Sequence, residues 1–154
     1  MTQPGPGQAN LRLAIAWFAG AVLLLLADGA TQLPSPALPG SDTAYVVVHR
    51  NWSLVLPAAF GLFGALYLGV TPVFPVRLRV KLGWVQLAVM AAGAALTKAP
   101  QFALLWGEPP GGGDAPAQAF EVWNAVAAAG ALLMAASLLL FLWALIDGLR
   151  RKPG

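Results

Sequence analysis

The sequence contains no cysteine and a single histidine, His49. Without cysteine the chain forms no disulfide, carries no thiolate nucleophile and holds no Cys-ligated metal. One imidazole excludes a multi-histidine metal site within this chain, although one imidazole suffices as an axial haem ligand. The sequence also lacks a Gly-rich phosphate loop with its lysine and any nucleophile–base pair. It therefore presents no catalytic pattern that this chain completes alone.

Charge is scarce as well. Only 10% of the residues are charged and 58% are hydrophobic, whereas a soluble domain carries about 25% charged residues. Such a chain cannot cover a water-facing surface, so lipid is predicted to solvate much of it. The net charge of +3 does not indicate a nucleic-acid partner, because the basic residues lie at helix ends rather than in one patch.

Long runs without charge predict an all-α integral membrane bundle of four transmembrane helices. The clearest span is Ala125–Ile146, which has 22 uncharged residues where a bilayer needs about 20. The first span is the weakest, because its charge-free run, Leu13–Ala27, is short. A cleaved signal peptide is the alternative for that segment. The predicted helices cover about 11–33, 42–70, 81–106 and 120–149.

These helices make up one transmembrane domain, residues 11–149, between a flexible N-terminal tail, 1–10, and a basic C-terminal tail, 150–154. Ser41 or Asp42 is expected to cap the second helix. Pro57 is predicted to kink that helix, and Pro100 to end or bend the third, because proline removes a backbone N–H donor.

Charge placement predicts the orientation. Seven of the nine basic residues lie in the N-terminal segment, the loop between helices two and three, and the C-terminus. Five of the six acidic residues lie on the opposite side. The positive-inside rule therefore places both termini in the cytoplasm. Most of the six tryptophans lie near span ends, as interfacial belts require.

A polar cluster interrupts the second helix at His49, Arg50 and Asn51. A charge within a span is costly and indicates function by default, but Arg50 can also snorkel to the surface, leaving its neighbours as interfacial groups. Asp42 precedes His49 by seven residues, about 10 Å along an ideal helix, so it is not predicted as a direct partner. A third interpretation is that Arg50 and Asn51 line a polar path in a small transporter or channel subunit.

Small residues at four-residue spacing, Gly61, Ala65 and Gly69, predict close helix packing in the second helix. The third and fourth helices carry similar alanine pairs, Ala88 with Ala92 and Ala127 with Ala131. Ordinary intramolecular packing is favoured over a dedicated dimer face, although the sequence does not separate the two.

The stretch from Asp42 to Asn51, Asp-Thr-Ala-Tyr-Val-Val-Val-His-Arg-Asn, resembles the start of the tenth helix of haem-copper oxidase subunit I. That family reads Asp-Thr-Tyr-Tyr-Val-Val and then a His-x-His pair. Further similarities follow in order at Leu66-Tyr67, at Ala99-Pro100-Gln101-Phe102 and at Trp123-Asn124. The resemblance covers about residues 11–149 and implies the last four helices of a twelve-helix respiratory-chain protein, with the same orientation.

The departures from the family limit what the resemblance implies. His49 occupies the position of the high-spin haem ligand, but Asn51 stands where the low-spin haem ligand is expected. Ser41 replaces a magnesium ligand, and Glu108-Pro109-Pro110-Gly111 replaces the arginine pair that holds the haem propionates. The helices that carry the family's copper histidines have no counterpart here.

The resemblance therefore implies a degenerate, non-catalytic accessory, assembly or structural component beside other subunits of a respiratory oxidase-type complex in a bacterial inner membrane. The alternative is a haem-binding electron-transfer or split-oxidase subunit that uses His49 as axial ligand.

Overall fold

A computed structural model shows four α-helices: α1 (Pro6–Thr31), α2 (Thr43–Val73), α3 (Val80–Trp106) and α4 (Pro116–Arg150). It describes the backbone of residues 6–31, 43–73, 79–106 and 116–150, and the side chains of 8–29, 54–69, 79–100, 102 and 121–150. Helix is the only regular structure in these ranges, which confirms the all-α prediction. The helices form two compact hairpins, α1 with α2 and α3 with α4.

Three helical segments are long and apolar enough to cross a membrane: Gln8–Gly29, Val80–Pro100 and Glu121–Arg150. Within α2 the apolar segment among the described side chains is shorter, Leu54–Gly69. Most large apolar side chains of α4 are exposed, such as Leu132 at 72% and Leu139 at 67%. Exposed leucine on this scale is expected where lipid is the solvent, and the protein is therefore an integral membrane protein.

Prolines mark two of the helix starts and explain where the predicted boundaries differ. Both α1 and α4 begin at a proline, Pro6 and Pro116, four to five residues earlier than predicted. Proline is favoured in the first turn because the N–H that it lacks has no helical partner there. Residues 6–10, predicted as part of a flexible tail, are therefore helical, and Asn10 is buried.

Prolines inside α2 and α3 do not end those helices. Both helices continue, α2 through Pro57 and α3 through Pro100 to Trp106. An apolar surrounding favours this continuity, because an unpaired backbone group in lipid costs several kcal/mol and every bond that remains is worth keeping. The predicted span 81–106 is therefore continuous through Pro100, and the bends predicted at Pro57 and Pro100 stay predictions.

The α1–α2 hairpin is antiparallel and closes on two glycine contacts. A Cβ placed on Gly20 would lie 2.6 Å from Cδ1 of Phe60, and one on Gly64 would lie 3.1 Å from the Phe18 ring. Each glycine thus accepts a phenylalanine ring from the other helix. Leu13, Trp17 and Leu56 lie fully buried at this interface.

The α3–α4 hairpin packs even more closely, backbone against backbone. A Cβ on Gly93 would lie 2.7 Å from the carbonyl oxygen of Gly130, and one on Gly130 would lie 2.6 Å from that of Gly93. Real Cβ atoms do not approach this closely, so only glycine fits at either position. Small residues drive helix association in lipid because they maximise van der Waals contact.

Candidate intramembrane site

The predicted polar cluster lies within α2, since residues 49–51 belong to Thr43–Val73. The side chains of His49, Arg50 and Asn51 fall outside the described part of the structure, as does Asp42. The helical backbone at these positions agrees with the predicted second helix. The roles of all four residues remain predictions.

An aromatic cluster joins α1 to α2 at Trp17, Phe60, Phe63 and Tyr67. The Trp17 ring centroid lies 5.1 Å from that of Phe60 in an edge-on arrangement, 4.9 Å from Phe63 and 6.4 Å from Tyr67, with which it stacks at 15°. Trp17 is 0% exposed and Tyr67 is 1% exposed. Aromatic pairs in this distance range contribute about 0.5–1.5 kcal/mol each beyond the area that they bury.

Trp17 is mid-helix and fully enclosed, so it is not the interfacial anchor that the tryptophan pattern predicted. Its Nε1 forms no hydrogen bond with any residue that the structure describes. Trp84 and Trp143 do match the interfacial pattern, because they are 44% and 59% exposed and lie near helix ends. The exposure of Trp84 and Trp143 is compatible with the predicted interfacial belt, which stays a prediction, whereas Trp17 does not belong to it.

Polar side chains are also buried within the α3–α4 hairpin. The Ser137 hydroxyl, 0% exposed, donates a 3.1 Å hydrogen bond to the backbone carbonyl of Gln86 across the two helices. The Thr97 hydroxyl donates to the carbonyl of Gly93 on its own helix at 2.8 Å. Gln86 and Lys98 are 1% and 5% exposed, and both have further interactions. These bonds stabilise the hairpin and assemble no acid–base pair.

Metal binding finds no support in the described ranges, where no group of three or more His, Asp or Glu side chains could hold an ion. A haem does not fit between α1 and α2 at the aromatic cluster, because the Gly20–Phe60 and Gly64–Phe18 contacts hold the helices in van der Waals contact there. His49 is the one imidazole in the sequence. His49 therefore stays the predicted axial ligand of a haem.

The predicted packing stripe lies off the α1–α2 interface. A Cβ on Gly61 or Gly69 would meet no described atom within 4 Å, and Ala65 is exposed. Gly20, Gly64, Gly93 and Gly130 make the observed contacts, and sequence reasoning missed all four. Their signal was each glycine itself, because glycine within a helix costs about 1 kcal/mol relative to alanine and so favours a contact that needs it. A packing role for Gly61, Ala65 and Gly69 stays a prediction, and it would involve a contact other than the one between α1 and α2.

The described helices thus define an α-helical integral membrane protein in which the two helices of each hairpin pack closely against each other. Over 150 residues, 94% of the chain, the sequence is 32% identical to cytochrome c oxidase subunit 1 of Cereibacter sphaeroides. Over 148 residues it is 28% identical to cytochrome c oxidase subunit 1 of Yarrowia lipolytica. The chain spans about a quarter of these relatives, 26% and 28% of their lengths.

No model of a known protein family matches the chain, and no solved structure matches it. The similarity to cytochrome c oxidase subunit 1 along nearly the whole chain supports an oxidase subunit I-like protein.

Proposed function

We propose that this chain is a non-catalytic accessory, assembly or structural component of a respiratory oxidase-type complex. The observation that supports this most is the combination of 32% identity along nearly the whole chain with Asn51 at a haem-ligand position of the resemblance. A carboxamide is not among the axial ligands that hold haem iron, which are His, Cys, Met and Tyr. A chain that keeps the sequence similarity but lacks this ligand suits a structural role.

In this proposal the four helices correspond to the last four of oxidase subunit I, and each crosses the membrane. Both termini and the α2–α3 loop face the cytoplasm of a bacterial cell, as the distribution of basic residues favours. Residues 11–149 form the transmembrane domain. The outer surfaces of α1 and α4, rich in exposed leucine, then face lipid or neighbouring subunits.

Purification from native membranes tests the proposal. The tagged chain, extracted in mild detergent and separated on a native gel, is expected to migrate with oxidase subunits. Deleting its gene is expected to lower the amount of assembled oxidase while the turnover of each remaining complex stays unchanged. Migration apart from every oxidase subunit, with normal oxidase levels in the deletion strain, would contradict the proposal.

A second candidate is a haem-binding electron-transfer or split-oxidase subunit. It is favoured by His49, which matches the family's high-spin haem ligand in the resemblance. Here His49 would supply the axial bond, and the haem would supply one-electron chemistry. The optical spectrum of the purified protein separates the candidates. A Soret band that disappears in His49→Ala supports haem, whereas a pigment-free protein with full helicity by circular dichroism excludes it.

A further inference from the structure

The α3–α4 hairpin carries its exposed basic residues at one end. The exposed Arg79 immediately precedes α3. Lys81 is exposed in the first turn of α3, and Arg150 is exposed at the end of α4. The sequence then continues with Arg151 and Lys152. Asp147 is the acidic residue at this end among the described side chains of the hairpin, and Glu121 lies at the far end of α4. Positive charge therefore dominates this end.

Two tryptophans lie near these basic residues: Trp84 lies inside Lys81, whereas Trp143 lies at about the level of Lys81 and inside Arg150. The antiparallel register brings Gln86 opposite Ser137 and Gly93 opposite Gly130. Continuing that register places Trp84 and Trp143 within about one helical turn of the same level. Lys81 lies about 4.5 Å beyond Trp84 along the axis, and Arg150 about 10 Å beyond Trp143. Both indoles are exposed, at 44% and 59%.

This order of groups matches the layers of a bilayer surface. Exposed leucines Leu132 and Leu139, at 72% and 67%, provide an apolar face for acyl chains. Indole rings favour the headgroup level, since they are apolar with one N–H donor. Basic side chains at and beyond this level reach the phosphate layer, where anionic lipid attracts Lys and Arg.

We propose that the basic end of the α3–α4 hairpin, through Lys81 and Arg150, binds the headgroups of anionic phospholipids in preference to zwitterionic ones. Trp84 and Trp143 set the depth at which the headgroup is held. The inference rests on the membrane-spanning part of the proposed function and is independent of any oxidase role.

Quenching by brominated lipid tests the preference directly. The intact protein is reconstituted in phosphatidylcholine vesicles containing phosphatidylglycerol, with bromine on the acyl chains of one lipid or the other. Brominated phosphatidylglycerol is expected to quench roughly ten-fold more effectively per molecule at low mole fraction. A Trp84→Phe/Trp143→Phe variant, which keeps the other four tryptophans, is expected to lose the difference.

Charge variants identify the residues. Lys81→Gln is expected to lower the preference for phosphatidylglycerol about five-fold, and Lys81→Arg to retain it. Glu121→Gln changes the net charge at the other end and is expected to have no effect. Arg12→Gln removes an exposed basic residue of α1 and is expected to change the preference less than Lys81→Gln.

Several outcomes would overturn the inference. Equal quenching by both brominated lipids would show that the protein has no preference for the anionic lipid. An equal effect of Arg12→Gln and Lys81→Gln would show that the preference is a diffuse surface attraction and not a property of this end of the hairpin. If free inorganic phosphate at matched ionic strength abolishes the preference for phosphatidylglycerol, these residues bind a free anion and not a lipid surface. If neither brominated lipid quenches the tryptophan fluorescence, membrane insertion itself is contradicted. This result differs from equal quenching by both lipids, which contradicts only the lipid preference.

Discussion

Gly93 and Gly130 show how the absence of a Cβ atom determines a helix contact. Each faces the backbone of the other helix, and a Cβ at either position would overlap a carbonyl oxygen at 2.6–2.7 Å. Side chains cannot relieve such an overlap, because the atoms in the way belong to a helical backbone. The two helices would have to separate, losing the dispersion contacts along their whole seam.

Gly93→Ala and Gly130→Ala are therefore each expected to destabilise the protein by about 1–3 kcal/mol, the usual effect of overpacking. Thermal unfolding in detergent, followed by circular dichroism, measures the loss. Gly61→Ala is the matched control, since its Cβ would meet open space and alanine is the better helix former. Equal unfolding temperatures for Gly93→Ala and Gly61→Ala would contradict the observed contact.

Trp17 provides the second test of single residues. Trp17→Ala leaves a cavity among Phe60, Phe63 and Tyr67 and is expected to cost about 3 kcal/mol, since packing contacts are lost even where lipid replaces water. Trp17→Phe is expected to cost less, because the indole N–H has no hydrogen-bond partner among the described residues. Trp143→Ala, at a position that is 59% exposed, is the control. A loss as large in the control as in Trp17→Ala would argue against the buried cluster.

Each hairpin forms its interface by its own means. The α1–α2 hairpin uses glycines that receive aromatic rings, whereas α3–α4 uses glycines in direct backbone contact together with an interhelical hydrogen bond. Without water between the helices, the hydrophobic effect does not drive their association. Shape and hydrogen bonding must therefore select the pairing of the helices.

Ser137→Ala tests the contribution of that bond to the α3–α4 hairpin. Removing the hydroxyl is expected to lower the free energy of unfolding by about 0.6 kcal/mol, and by no more than about 1.7 kcal/mol, as for other interhelical bonds in membranes. Titration with SDS measures this difference. Leu138→Ala, at a 50% exposed neighbour, should change stability less. A stability unchanged in Ser137→Ala would show that the bond contributes nothing.

At the scale of the whole molecule, the proposed topology makes the most direct prediction. Because the chain contains no cysteine, single cysteines are specific reporters. In intact cells, an impermeant maleimide is expected to label Ser35→Cys and Gly112→Cys, in the outer loops, but not Val76→Cys in the middle loop. The pattern follows from the positive-inside placement of the basic residues.

Labelling of all three positions only after the membrane is opened would contradict the proposed orientation. Labelling of Val76→Cys alone in intact cells would reverse it. If Ser35→Cys and Val76→Cys are labelled equally in intact cells, α2 does not cross the membrane as proposed. This helix has the shortest apolar segment among the described side chains.

Much of the fold was predictable because hydropathy along a chain reports directly on transfer into lipid. The charge-free run of α4 and the Val80–Trp106 span were predicted to within a few residues. The starts at Pro6 and Pro116 were not, because a proline near a helix is equally compatible with a loop and with a first turn. The roles of His49, Arg50, Asn51 and Asp42 stand as sequence-based predictions.

The sequence by itself determined the class of the protein, its helices and its similarity to cytochrome c oxidase subunit 1, because lack of charge and local residue order need no knowledge of contacts. Only the tertiary structure decided which small residues touch. Gly61 and Ala65 form a regular stripe yet lie off the α1–α2 interface, whereas Gly20 and Gly64, which are not part of that stripe, receive phenylalanine rings. In lipid both faces of a helix are apolar, so periodicity does not mark the packed face, and shape complementarity between particular helices selects it.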